Sequence, residues 1–210
     1  MHKEFNHRPF LVGTATPATI DRANRAAQEA FDRTASALKL DDALAFPTGD
    51  PLRLRDGRAV FALAPGLGRT EPFNRAYSAA GQAAIAVLEA AGAPWMATNS
   101  LSMCNLGAPG PGVWTALIEI YGRFEDARVE GLTGHQRAAI ASGEVLLVRS
   151  LPPPGAPIQF SALMLLGRTR ADVVDIVEPI AAAYPGIAEV MLIGDDFAST
   201  ERLMHADLPF

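Results

Sequence analysis

Residues 106–112 read LGAPGPG, and this stretch decides how the rest of the chain divides. Pro109 and Pro111 fix φ and remove two backbone donors, and three glycines beside them weaken any regular element, so the run is neither helix nor central strand. It lies near the middle of a 210-residue chain, and the patterns on its two sides repeat in order.

On the N-terminal side the apolar run at 10–12 starts a strand. Thr16-Pro17 opens a helix, because threonine caps the first turn and proline's missing N–H costs nothing there. Ile20, Ala23, Ala27, Ala30, Phe31 and Leu38 recur at helical spacing and predict a helix over 17–39, with Asp21/Arg25 and Glu29/Arg33 as four-apart ion pairs. Asp56-Gly57 favours the positive φ of a tight turn, so 52–55 and 58–63 form a hairpin. Thr70 caps a second helix whose stripe is Phe73, Ala76, Tyr77, Ala80, Ala84, Val87, Leu88 and Ala91, and Gly92 stands where a left-handed stop belongs. Residues 95–100 read as a short strand.

Beyond the glycine/proline run, 113–124 alternates Trp114, Ala116, Ile118 and Ile120 against Thr115, Leu117, Glu119 and Tyr121, the period of a strand. Thr133 and Gln136 have capping-box spacing for a short helix ending at Gly143. Strands at 144–150 and 157–166 follow, and Thr169 and Asp172 open a last helix with Val173, Ile176, Val177, Ile180 and Tyr184 inward. Pro179 lies inside that pattern and predicts a kink or a split. Residues 187–193 form the last strand, and the remainder to Phe210 reads as a polar tail.

Each side therefore has the order β-α-β-β-α-β. The expected architecture is α+β, two tandem ferredoxin-like units with mainly antiparallel sheets, over residues 1–107 and 108–210; the alternative is a single mixed-sheet α/β domain. Helices cover one face of each sheet, so the other must meet a second sheet, within the chain or across a dimer. A homo-oligomer is expected on that ground.

Composition narrows the function classes. Apolar residues at 49% and charged residues at 20% describe a chain that folds. A net charge of −5 with scattered arginines makes nucleic acid and anionic membranes poor partners. No apolar stretch approaches the roughly 20 residues that span a bilayer, and the start lacks a signal-peptide core, so a cytoplasmic protein is expected. Cys104 is the only cysteine, which excludes an intrachain disulfide and zinc ribbons. Lys3 and Lys39 are the only lysines, leaving few Schiff-base candidates.

The densest group of reactive side chains runs from Thr98 to Asn105. Cys104 at a strand end beside exposed N–H groups is a candidate nucleophile, with Ser102, Asn105 and Tyr77 as polar lining of a pocket near residues 98–112; the plainer reading is a buried thiol before a linker. Val87 to Asn105 resembles the region around the nucleophile of pyroglutamyl peptidases, with Cys104 as the matching residue, but that family's glutamate and histidine motifs are absent and membership is not assigned. Gly66, Gly68, Arg69 and Thr70 form a turn before a helix, a setting that binds anions, although Glu71 at the helix start opposes it.

His2, His7, His135 and His205 have no metal-ligand spacing, so no metal site is expected, and no motif implies a cofactor. Asp195-Asp196 reads as a turn or cap. Arg53 and Arg55 share one face of the hairpin that also carries Arg58; a solvated face that guards the edge is favoured over an acidic-ligand site. The expected function is small-molecule binding, either as a cofactor-light enzyme of isomerase, lyase or hydrolase type or as a non-catalytic, oligomer-forming ligand-binding or accessory protein.

Overall fold

The computed structural model describes residues 10–41, 44, 52–63, 70–98, 103–104, 112–121, 132–150, 160–183, 187–195 and 200–205. In chain order the first part holds β1 (Phe10–Ala15), α1 (Pro17–Ala37), β2 (Ala59–Leu63), α2 (Glu71–Ala90), β3 (Trp95–Thr98) and β4 (Met103–Cys104). The second holds β5 (Trp114–Tyr121), α3 (Gly134–Ala141), β6 (Val145–Ser150), β7 (Phe160–Gly167), α4 (Arg170–Ala183), β8 (Ile187–Ile193) and β9 (Thr200–His205).

Among the described residues all pairings are antiparallel, in two sheets ordered β2-β1-β3-β4 and β6-β7-β5-β8-β9. Counted within the second unit, β6-β7-β5-β8 is second, third, first, fourth, the order of the split βαβ fold. The first unit has the same order once its second strand is recognised in the short hairpin arm, where Arg53 bridges Ala59 and Val60 N donates to the Leu52 carbonyl at 2.9 Å. Gly57 turns that hairpin with φ +85°. Each unit then adds a fifth strand beside its fourth, β4 on β3 and β9 on β8. The chain is thus a tandem pair of ferredoxin-like units.

The local signals explain the elements. Thr16 caps α1 by accepting from Thr19 N at 3.3 Å, and Ile20, Ala23, Ala27, Ala30, Phe31 and Ala35 form its buried stripe. The alanines let α1 lie close beside α2, whose buried stripe repeats the pattern with Phe73, Ala76, Tyr77, Ala80, Ala84 and Leu88. Gly92 ends that helix at φ +61°. Gly13 is required by close approach: a Cβ there would meet a Leu88 methyl at 2.6 Å.

Burial divides into three apolar layers. Leu11, Phe61, Leu63 and Ala97 pack against α1 and α2, and Ala116, Ile118, Leu163, Leu165, Val190 and Leu192 pack against α4. Between the sheets lies a third layer, built from Phe10, Val12, Val60 and Met96 on one side and Leu117, Val148, Met164 and Leu166 on the other. The order is helices, sheet, sheet, helices. The sheet face that gave reason to expect a second copy is therefore covered within the chain.

Three segments depart from expectation, the first being residues 103–104, which were not read as a strand and form β4. Residues 200–205, read as polar tail, form β9. Pro179 neither splits nor ends α4, which runs continuously from Arg170 to Ala183. Proline at 179 leaves the Asp175 carbonyl without its i+4 donor. The Gln136 side-chain amide supplies one, donating from Nε2 to that carbonyl. The Gln136 Oε1 meanwhile accepts from Thr133 N at 2.7 Å, completing the capping box of α3. One side chain thus caps α3 and repairs α4. Replacing Gln136 with alanine should cost about 1 kcal/mol or somewhat more. In a Pro179→Ala background, where residue 179 donates for itself, that cost should shrink, and denaturant titrations of the double-mutant cycle would read the difference.

Candidate functional site

The junction of α3 and α4 is also where a groove opens. It has a volume of about 380 Å³ and is lined by Thr133, His135 and Gln136 from the start of α3, by Glu144 and Val145 at the entry to β6, and by Asp172, Asp175, Ile176, Glu178 and Pro179 of α4. Asp172, Asp175 and Glu178 stand three apart, so helical geometry puts them along one side of α4. Four carboxylates and one imidazole line the groove without any lysine or arginine. Asp172 is partly committed, accepting from Thr169 N at 3.0 Å, while Asp175 and Glu178 are exposed. Such a concave, acidic surface favours a cation over an anion. Among the described residues no three histidine, cysteine, aspartate or glutamate side chains are gathered so as to hold a metal ion.

The residues singled out from sequence fall elsewhere. Tyr77 lies in the layer under α1 and α2, 5% exposed, with its ring stacked on Phe73 at 6.5 Å between centroids. Burial pushes its hydroxyl well above the ordinary 10.0, so it stays protonated. Cys104 is on β4, whose backbone pairs with β3 so that Cys104 stands opposite Ala97. Ala97 and Tyr77 belong to the same apolar cluster. Thr70 caps α2, its Oγ1 accepting from Phe73 N at 3.5 Å. Ser102, Asn105, Gly66, Gly68 and Arg69 lie outside the described residues.

The α3/α4 groove is not a site that sequence reasoning singled out. Its signals were present separately: the Thr133/Gln136 box, the three-apart acids and a proline inside a helix. What joins them is one tertiary hydrogen bond from Gln136 to Asp175.

Fold and sheet order define the class: a tandem ferredoxin-like α+β protein. No family model matches the sequence, and no curated protein matches it. Among solved structures it is similar to a mutant chlorite dismutase from Candidatus Nitrospira defluvii, at 9% identity and a TM-score of 0.25, over 91% of this chain and 94% of that one. A second mutant of that protein gives 11% identity and a TM-score of 0.23 over 95% and 89% of the two chains. Chlorite dismutase of the same organism in complex with imidazole gives 9% and 0.22 over 82% of each. Scores this low carry no correspondence of residues or of activity. Among the described residues no helix is long and apolar enough to cross a membrane.

Proposed function

We propose that this chain binds a small molecule, and that the ligand is a compact organic cation seated in the groove between α3 and α4. The observation that carries this reading is the one-sided charge of that groove, with Glu144, Asp172, Asp175 and Glu178 facing no lysine or arginine in its lining. A primary ammonium group would find charge-assisted acceptors there. Calorimetric titration with 1,4-diaminobutane at low salt should show saturable binding, and Asp175→Asn with Glu178→Gln should weaken it tenfold or more, because a hydrogen bond to a charged group contributes about 1.5–3 kcal/mol. Absence of saturable heat at millimolar diamine would remove the groove as a cation site.

A second reading is catalytic. Here Cys104 is the nucleophile of a cofactor-light isomerase, lyase or hydrolase whose pocket lies near residues 98–112, with Ser102, Asn105 and Tyr77 as its polar lining. Its support is the place of β4 as the terminal strand of the first sheet, paired on one side only among the described residues. A thiol serving this role should react with a neutral aromatic disulfide at pH 7 without denaturant, and Cys104→Ser should abolish that reaction. Modification that begins only on unfolding would assign Cys104 to structure. Anion binding by Gly66, Gly68, Arg69 and Thr70 belongs to the same proposal, supported by the exposed position of Thr70 at the start of α2.

Homo-oligomerisation would run through a sheet edge in either reading. β6 and β9 each close the second sheet with one side unpaired among the described residues.

A further inference from the structure

At one end of the sandwich the hairpin of the first unit meets the strand ends of the second. The Arg168 Nε, just past β7, donates to the Arg53 carbonyl at 2.7 Å across 115 residues of sequence. Leu52 and Leu54 turn inward, at 0% and 8% exposed, and the alternate residues Arg53 and Arg55 are left in solvent. Arg58 on the same hairpin reaches between the sheets. Its Nη1 donates to the buried Thr14 hydroxyl at 3.0 Å, and a Cβ at Gly112 would come within 2.9 Å of its Nη2. Arg170 begins α4 two residues after Arg168. Five arginines thus collect at one end of a chain whose net charge is −5.

Two of the acids at that end are already engaged. Asp56 is taken by Arg58, with Oδ2 2.7 Å from its Nε, and Asp172 accepts from the Thr169 backbone. Asp195 is exposed there, its carbonyl accepting from Gly112 N at 3.0 Å. The side chains of Arg53 and Arg55 have no carboxylate partner among the described residues. Just inside, Thr115 keeps a fully buried hydroxyl with no hydrogen-bond partner among them, on the side of β5 that faces the first sheet. A polar oxygen left so is the mark of a missing donor or acceptor. Guanidinium groups carried on neighbouring segments raise the local potential, and their planar forks match the oxygens of a tetrahedral oxyanion.

We infer that this arginine-lined seam binds a phosphate-type oxyanion, free or carried as a phosphomonoester on a small molecule. The groove between α3 and α4 shares Asp172 with this end of the fold, but none of these arginines lines it, and this inference does not depend on it.

The test is thermal unfolding of the whole protein with inorganic phosphate and, separately, with glycerol phosphate, each against sodium chloride at matched ionic strength. A saturable rise in Tm beyond the chloride control is expected in at least one arm, and the arm that gives the tighter half-saturation identifies the free or the esterified form. Arg55→Ala, whose side chain has no carboxylate partner among the described residues, and Arg168→Ala should each raise the half-saturating concentration tenfold or more. Arg25→Ala, on the exposed side of α1, should leave it unchanged. The inference is overturned if neither arm exceeds chloride, if Arg55→Ala responds as the unaltered protein does, or if Arg69→Ala alone abolishes the effect.

Discussion

Replacing Leu117 with aspartate should unfold most of the protein at 25 °C. Leu117 is 2% exposed on β5, in the apolar layer where the two sheets face each other, and its strand neighbours there are Met164 and Met191. A carboxylate at that position has no partner, and burying an unpaired ion costs several kcal/mol even after relaxation. That cost is a large part of the roughly 5–15 kcal/mol that holds an ordinary domain together. Circular dichroism and denaturant titration should show lost or strongly left-shifted unfolding. Leu117→Met, which keeps volume and polarity, should stay within about 1.5 kcal/mol of the parent. A Leu117→Asp protein as stable as the parent would mean that this face is wet.

Phe31→Ala should destabilise by about 3–5 kcal/mol, the usual cost of truncating a buried aromatic. Its ring is 0% exposed on α1 and meets Phe73 of α2 edge-on, at 5.5 Å between centroids and 67° between planes. The buried stripes of α1 and α2 are rich in alanine, which has little reach to collapse into the space left, so the upper half of that range is expected. For a chain of this length, the loss corresponds to a fall in Tm of roughly 6–20 °C. Phe31→Leu should recover most of it. A shift of less than 2 °C for Phe31→Ala would contradict the packing of α1 on α2.

Most of the fold was legible because its signals are local and strong. The alternation of Trp114, Ala116, Ile118 and Ile120 against Thr115 and Leu117 separates the helix-facing side of β5 from the side facing the other sheet. Asp56-Gly57, Gly92 and the Thr133/Gln136 box each specify backbone geometry, and each holds the conformation expected of it. The fifth strands were not legible for a physical reason. β4 is two residues long, too short for any period, and β9 reads TERLMH, with no alternation of apolar and polar residues and a register shift opposite Val190 and Met191. Both are edge strands among the described residues, where pairing to one neighbour and not burial of a face defines the element.

The unbroken run of α4 through Pro179 was not legible, because the donor to the Asp175 carbonyl comes from Gln136, a residue 43 positions from the proline that no window of sequence joins to it. The candidate sites suffer from the same problem. Cys104 and Arg69 attract notice by residue type, whereas the α3/α4 groove and the arginine seam exist only once distant segments meet. Arg53 and Arg55 were noticed as a solvated hairpin face, and only the contact from Arg168 shows that a second arginine-bearing segment is docked there.

The most direct measurement is of methyl contacts between the two sheets. With Val, Leu and Met methyls labelled in a minority of copies and the remainder unlabelled, nuclear Overhauser effects should connect Val12, Val60 or Met96 with Leu117, Val148, Met164 or Leu166, and should persist on dilution. Failure to observe any of them, or their appearance only between differently labelled copies, would contradict a sandwich closed within one chain.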